Sequence, residues 1–372
     1  LYRVYGSLVD ELVNRLYTPS RRLYVRVNTL LIDRGELIDR FRERGLIAYP
    51  DPYIDDAIYF HIKGPYNIPL LDKRIYVDRY AAESIMMGAN LYAPGITGFT
   101  EFRVGDEVSV VAPNGSVVAI VEAKVSSNEL KNMENGLVGV NLVSLYRAPP
   151  IRDLEEYDMG LFYPQSLPAM IVSHLVNPKP GELIVDMNAA PGGKTSHLIQ
   201  LSHGSSRIIA FERSVKKALT VVDTLSRLKL LYNVVILPMD SRYIDIDLNL
   251  IGKVDKVLID PPCTGLGVRP KIHIDKSYRD VVVASEYQYQ FVKTAYRIIR
   301  RNGLIVYSTC TVTFEENEGI SLRAIRELGL EPVDHGFLPY SERVELGDLV
   351  AYRYSPLYYD MPGYYIVLFK KV

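Results

Sequence analysis

The feature that most restricts what this chain can fold into is an alternation beginning near Pro149. Short segments that are apolar at successive positions, three of them after a polar first residue, are separated by helix-length segments: Leu183-Ile184-Val185, Arg207-Ile208-Ile209-Ala210-Phe211, Asn233-Val234-Val235-Ile236-Leu237, Lys256-Val257-Leu258-Ile259 and Leu304-Ile305-Val306-Tyr307. Strands without polar alternation are covered on both faces, so the pattern predicts an α/β domain built on a parallel sheet. Helices are expected from Lys194, from the end of the second strand through Leu230, and over roughly residues 286–301. In such a sheet ligands bind at the carboxyl ends of the strands, so the residues after each strand carry the functional information.

The preceding 150 residues have a different character. Leu8, Leu12 and Leu16 recur at helical spacing, Tyr24 to Leu30 alternates like a strand, and Glu36 to Phe41 reads as a helix ended by Gly45. Residues 1–71 are therefore expected to be α+β. Residues 72–147 are mostly β, with Asp78 capping a short helix and Asn114-Gly115 turning a hairpin between Glu107–Val111 and Val117–Val121. Residues 148–372 form the α/β unit.

Composition removes several function classes. Lys and Arg number 43 against 44 Asp and Glu, so a uniformly basic nucleic-acid coat is excluded while a local basic face is not. No apolar run reaches the ~18 residues of a membrane span. Leu1-Tyr2-Arg3-Val4-Tyr5 lacks the apolar core of a secretory signal, and two cysteines in 372 residues make no disulfide framework. A reducing, cytoplasmic setting is the expectation. Arg297, Arg300 and Arg301 read as dipole-compensating residues at a helix end, Arg21 and Arg22 as solvated, and His174 and His197 as packing or exposed residues.

Five strand ends carry candidate chemistry. The first opens Asp186-Met187-Asn188-Ala189-Ala190-Pro191-Gly192-Gly193-Lys194-Thr195, whose paired glycines would let a ligand approach the backbone and a helix N-terminus. A phosphate-binding P-loop needs Gly at position 188, where Asn188 stands. A nucleotide-type cofactor with an amino-acid tail is the better fit. Glu212 after the second strand suits ribose hydroxyls, and Asp240 after the third suits an adenine amino group.

The fourth strand ends in Asp260-Pro261-Pro262-Cys263-Thr264-Gly265 and the fifth in Ser308-Thr309-Cys310-Thr311, so both cysteines of the chain lie on the expected functional edge. Too few further Cys or His stand at ligand spacing for zinc, and no metal is expected. In the first of these loops, amino-group methyltransferases place an aromatic residue where this chain has Cys263. A thiol suits different chemistry. The C5 carbon of cytosine is a poor nucleophile. Addition of a thiolate at C6 makes it an enamine carbon that can attack the sulfonium methyl of S-adenosylmethionine.

These motifs, with Tyr163-Pro164-Gln165-Ser166 and Gly363-Tyr364-Tyr365-Ile366, resemble those of the Sun-domain RNA cytosine-5 methyltransferases over about residues 150–372. The resemblance implies a Rossmann-like S-adenosyl-L-methionine-dependent domain with Cys310 as the nucleophile on C6. It implies that Cys263 assists proton removal or product release, and that Asp260 contacts the base with help from Lys194. The cofactor would be held by Asn188, Ala189, Ala190, Pro191, Gly192, Gly193 and Lys194 with Glu212, Lys217, Asp240 and Asp260. Asn188 and Glu212 depart from the family's usual Cys and Asp.

Tyr76 to Ala82, Tyr92-Ala93-Pro94-Gly95-Ile96 and Phe102 to Val108 resemble a PUA RNA-binding domain, and the N-terminal segment resembles an RRM-like region. The combination, with Gly265 to Pro270, is similar to an archaeal-like, PUA-bearing subfamily. That subfamily methylates cytosine 72 of the tRNA acceptor stem and holds the CCA end with the PUA. A monomer acting on tRNA, without a membrane, is the expectation. Another tRNA position or rRNA is the alternative.

Overall fold

A computed structural model describes residues 1–372. Five parallel strands run in the spatial order Val234–Leu237, Arg207–Phe211, Leu183–Asp186, Val254–Ile259 and Ile299–Thr309. Tyr364–Lys371, Leu349–Tyr354 and Glu342–Leu346 then continue the sheet antiparallel, and Leu330–Pro332 also pairs with Tyr364–Lys371. Side chains alternate between two cores. Ile184, Leu258 and Val306 face helices Leu167–Val176, Gly193–Leu201 and Val215–Arg227. Val185, Val257 and Tyr307 face Tyr278–Ile298 and Glu318–Leu328. The order reverses between Leu183–Asp186 and Val254–Ile259, which opens a crevice at their carboxyl ends.

The expected strands are all present. The long helix starts at Tyr278, earlier than the apolar spacing predicts, because Ser277 and Asp280 form a capping box in a stretch with few apolar residues. Arg300 is in the following strand rather than at a helix end and pairs with Asp255, while Arg297 pairs with Asp245.

Residues 74–144 carry a separate six-stranded sheet around its own core. Asp78 accepts from the Ala81 N–H as the helix cap, and Asn114 and Gly115 make the hairpin turn, Gly115 at φ 83°. Ile272 of the α/β unit inserts into this core, and Arg79 meets Asp275 at 2.5 Å.

The N-terminal sheet is antiparallel, in the order Phe162–Pro164, Arg22–Val27, Ala57–His61, Ala48–Pro50. Its outer strand comes from beyond the six-stranded domain, so that domain is an insertion within this unit. The strand expected over Tyr24 to Leu30 stops at Val27 because the Asn28 amide turns to the carbonyl oxygens of Gly160 and Leu228. No helix is long and apolar enough to cross a membrane.

Candidate active site

At the crevice lies a cavity of about 340 Å³. Asn188 and Ala190 line it from the first strand's loop, Glu212 and Lys217 from the second, Asp240 from the third, Asp260 and Cys263 from the fourth and Cys310 from the fifth. Met187, Arg213, Ser241 and Tyr287, which the sequence did not single out, are also in the wall. The remaining loop residues Ala189, Pro191, Gly192 and Gly193 stand outside the lining. The two glycines also answer to packing. A Cβ on Gly192 would meet Thr224 at 3.1 Å, and one on Gly193 would meet the Tyr163 ring at 2.8 Å. Gly192 also caps the helix at φ 103°.

Lys194 is behind the lining. Its ammonium reaches Asp260 Oδ2 at 2.5 Å, while Ser308 and Tyr364 donate to Asp260 Oδ1 at 3.1 and 3.4 Å. Burial disfavours the ammonium, but the Asp260 carboxylate and Tyr364 outweigh it and raise its pKa. Asp260 is thus a carboxylate fixed by three neighbours and open to the cavity. Asp186, buried beneath the loop, accepts from the Thr195 hydroxyl at 2.7 Å and the Asn188 N–H at 3.2 Å, and burial raises its pKa to about 6. It shapes the loop from behind. Asp240 is clamped by the Arg242 guanidinium at 2.6 and 2.9 Å.

The sulfur atoms of Cys263 and Cys310 are 3.3 Å apart and both thiols are free. The hydrogen bond between the two sulfurs and burial push the Cys263 thiol pKa up. The same hydrogen bond lowers the Cys310 pKa, helped by Lys194, while burial and the Asp260 carboxylate oppose it. The pair is therefore polarised, with Cys310 the more readily ionised thiol.

Glu316, fully buried, is the residue that sequence reasoning missed. Its carboxylate accepts from the Thr264 N–H (2.9 Å) and hydroxyl (2.6 Å), the Thr313 hydroxyl (2.8 Å) and the Gln288 amide (2.9 Å). The Thr311 hydroxyl is in reach at 3.3 Å. One side chain thus ties the residue after Cys263 to those after Cys310. A glutamate six places beyond the second cysteine, in the acidic run Glu315-Glu316-Asn317-Glu318, was the available signal, but such runs are normally solvated.

Arg26, also unanticipated, is buried and donates to Gln165 (2.8 Å), the Gly193 carbonyl (2.6 Å) and Ser196 (2.8 Å), so it pins the N-terminal sheet to the cofactor-loop helix. Beside it, His174 and His197 bond to separate oxygens of Asp56 at 2.9 and 2.7 Å. These are metal-ligand residue types. However, His197 Nδ1 is buried without a partner. A metal on Nε2 would force the proton onto that orphan nitrogen, whereas a neutral ring with Nε2–H donating to Asp56 leaves it a lone pair. The trio is a structural pin.

With this geometry in hand, the chain matches the family model for 16S rRNA methyltransferase RsmB/F over residues 173–370 and that for the PUA domain over residues 73–144. It is 34% identical to the tRNA (cytosine(72)-C(5))-methyltransferase of Pyrococcus horikoshii, over 98% of this chain and 92% of that protein. The chain belongs to the RsmB/F family. Among other RsmB/F relatives, the tRNA (cytosine(72)-C(5))-methyltransferase NSUN6 of Homo sapiens is 28% identical over 83% of this chain and 73% of that one. The crystal structure of NSun6 from Pyrococcus horikoshii with SFG superposes with a TM-score of 0.91 at 33% identity, covering 100% of this chain and 96% of that one.

The cavity fits S-adenosylmethionine on its own evidence. Asn188 Oδ1, at the cavity, is buried without a donor, the kind of acceptor an amino-acid ammonium satisfies. Glu212 and Asp240 present carboxylates on successive strands.

Proposed function

We propose that this protein is an S-adenosylmethionine-dependent tRNA cytosine-C5 methyltransferase acting at position 72 of the acceptor stem. The observation that carries the reading is the polarised thiol pair, 3.3 Å apart at the mouth of the cofactor cavity and beside Asp260. No amino-group or hydroxyl methyl transfer needs two thiols there. The choice of tRNA position rests on likeness to the two cytosine-72 enzymes and on the PUA domain of this chain.

When bound, the cofactor supplies an electrophilic methyl group. The residues of the chain do the rest. The Cys310 thiolate adds to C6 of the target cytosine. The Asp260 carboxylate, held by Lys194, Ser308 and Tyr364, accepts from the cytosine amino group and orients the base, and the Lys194 ammonium behind it offsets the negative charge that builds on the ring. C5, now enamine-like, would take the methyl group as the sulfonium S–CH3 bond breaks and its electron pair returns to that sulfur. Cys263 assists afterwards: the C5 proton is lost to a base, the C5–C6 double bond re-forms, and the Cys310–C6 bond breaks with its electron pair returning to the Cys310 sulfur. Asn188, Ala190, Glu212, Lys217 and Asp240 hold the cofactor from the cavity wall. Ala189, Pro191, Gly192 and Gly193 shape its loop.

The finer organisation belongs to the same proposal. The N-terminal unit is RRM-like: in chain order its strands lie fourth, first, third, second, with helices Arg34–Glu43 and Glu155–Asp158 as crossovers. The PUA domain, inserted between its third strand and second helix, grips the CCA end. The protein works as a cytoplasmic monomer. The test is methyl transfer from labelled cofactor to tRNA transcripts, with bisulfite sequencing of the product. A single protected cytosine at position 72 is expected; label at another cytosine, or only in rRNA, would replace the proposed site.

A further inference from the structure

The arginines that the sequence left to solvent line a groove of about 550 Å³ separate from the catalytic cavity. Arg15, Arg21, Arg22 and His61 line it together with Tyr358 and Tyr359. We propose that this groove is a second RNA subsite, which takes the phosphate backbone and stacked bases of the substrate between the PUA domain and the catalytic edge. The inference rests on the RNA reading above.

Charge comes first. Arg15 is paired with Glu11. Asp360, the groove's own carboxylate, is occupied by the Arg269 guanidinium at 2.8 Å and the Arg21 N–H at 2.7 Å. Arg22 faces only tyrosines: its guanidinium is 4.6 Å from the Tyr59 ring centroid and donates to the Tyr24 hydroxyl at 3.2 Å. Neither Arg21 nor Arg22 makes an ion pair, in a chain whose total charge is −1. Two uncompensated guanidiniums in a concave wall are a site for phosphate, and one is already oriented by its stacking.

The tyrosines of the groove supply faces for bases. Tyr358 and Tyr359 are 51% and 46% exposed, which leaves ring area free for stacking.

Position decides the partner. The loop carrying Tyr358 and Tyr359 leads into Tyr364, whose hydroxyl reaches Asp260 at 3.4 Å. Tyr364–Lys371 runs antiparallel to Ile299–Thr309, so this loop sits at the edge that bears Cys310. His61, which also lines the groove, is followed two residues later by Lys63, which forms a β-bridge with Arg147 at the root of the PUA domain. A strand passing from the PUA domain to the thiols has this groove along its way.

The experiment measures binding of a tRNA transcript ending in CCA as a function of salt, together with methyl-transfer kinetics. It compares the wild type with Arg21→Gln/Arg22→Gln, Arg21→Gln alone, Tyr358→Ala/Tyr359→Ala, and Arg42→Gln, an exposed arginine elsewhere. The double arginine variant is expected to bind about 10-fold more weakly near 0.15 M salt. Its log–log salt slope should be shallower by about 1.5, the share of two phosphates. KM for RNA rises while kcat at saturating RNA and cofactor affinity stay within about 2-fold. The tyrosine pair loses affinity with the slope unchanged, because stacking releases no counterions. Arg21→Gln, at an exposed position, should give about half the slope change without any risk to folding, and Arg42→Gln none. Wild-type slope and KM in both arginine variants of an active protein would overturn the groove alone. Absence of methyl transfer to any RNA by the wild type would overturn the functional reading, and the groove with it.

Discussion

The Cys263 and Cys310 sulfurs are 3.3 Å apart across 47 residues of chain, in the loops that follow adjacent parallel strands, and Cys310 is the more readily ionised of the two. The arrangement separates two roles that a single thiol would have to combine: attack on the ring, and help with the proton that must leave before the ring is released.

Cys310→Ala is expected to lower turnover by about 10⁴-fold or more while cofactor affinity stays within about 2-fold. Cys263→Ala should still form the bond to C6 but stall afterwards, leaving a protein–RNA adduct that survives denaturing electrophoresis. Cys310→Ala/Cys263→Ala should give none. Turnover by Cys310→Ala near the wild-type rate would refute the nucleophile assignment.

Glu316 is a positioning residue, since it touches the loops of both cysteines and neither sulfur. In Glu316→Gln an amide nitrogen replaces one acceptor oxygen, so a buried donor among Thr264, Thr313 and Gln288 loses its partner, at a cost of about 1–3 kcal/mol. The sulfur separation relaxes, and kcat should fall by roughly 10- to 100-fold with little change in KM for the cofactor. Single-turnover adduct formation would slow in parallel. A fall in melting temperature with kcat intact would reduce Glu316 to a purely structural group.

The thiol pair also sets the pH response. The acid limb of kcat/KM should lie below the ordinary thiol value of 9.0, because the Cys263 hydrogen bond and Lys194 favour the Cys310 thiolate. In Lys194→Met the cation is gone and Asp260 is left uncompensated, and both changes disfavour the thiolate. The limb should therefore move to higher pH, and raising the pH should restore part of the lost rate. A limb that stays in place would show that Lys194 has no electrostatic hold on the sulfur.

What the sequence made legible follows from where information is local. Five apolar strands and the turn chemistry after each are encoded within about ten residues, so Asp260, Cys263 and Cys310 could be placed on one edge without coordinates. Glu316 and Arg26 could not. A buried carboxylate bound to Thr264 and a buried arginine bound to Gly193 become recognisable only when segments 52 and 167 residues away pack against them. The glycines show the converse. Gly192-Gly193 reads as a ligand-approach signal, but the atoms that crowd their missing Cβ positions belong to Thr224 and Tyr163. Likewise Arg21 and Arg22 are two unremarkable arginines until the fold sets exposed tyrosines in one groove with them.

The pin between the N-terminal sheet and the catalytic domain should make stability acid-sensitive well before ordinary carboxylates titrate. Burial lowers the His197 pKa from 6.5 to about 3, and Asp56, despite burial, is held low by its two histidines. Between those two His values the unfolded chain binds a proton at His197 that the folded protein refuses. Stability is therefore present above pH 6.5 and is lost as pH falls toward 3, with a slope of at most about 1.4 kcal/mol per pH unit from this group. Asp56 acts in the same direction at the acid end of that window. Thermal melts from pH 8 to 4 should show a steeper decline in the wild type than in His197→Gln, whose amide still donates to Asp56 and cannot titrate. The variant should be less stable at pH 8 and lose less on acidification; parallel curves would mean that His197 is not the group that senses acid.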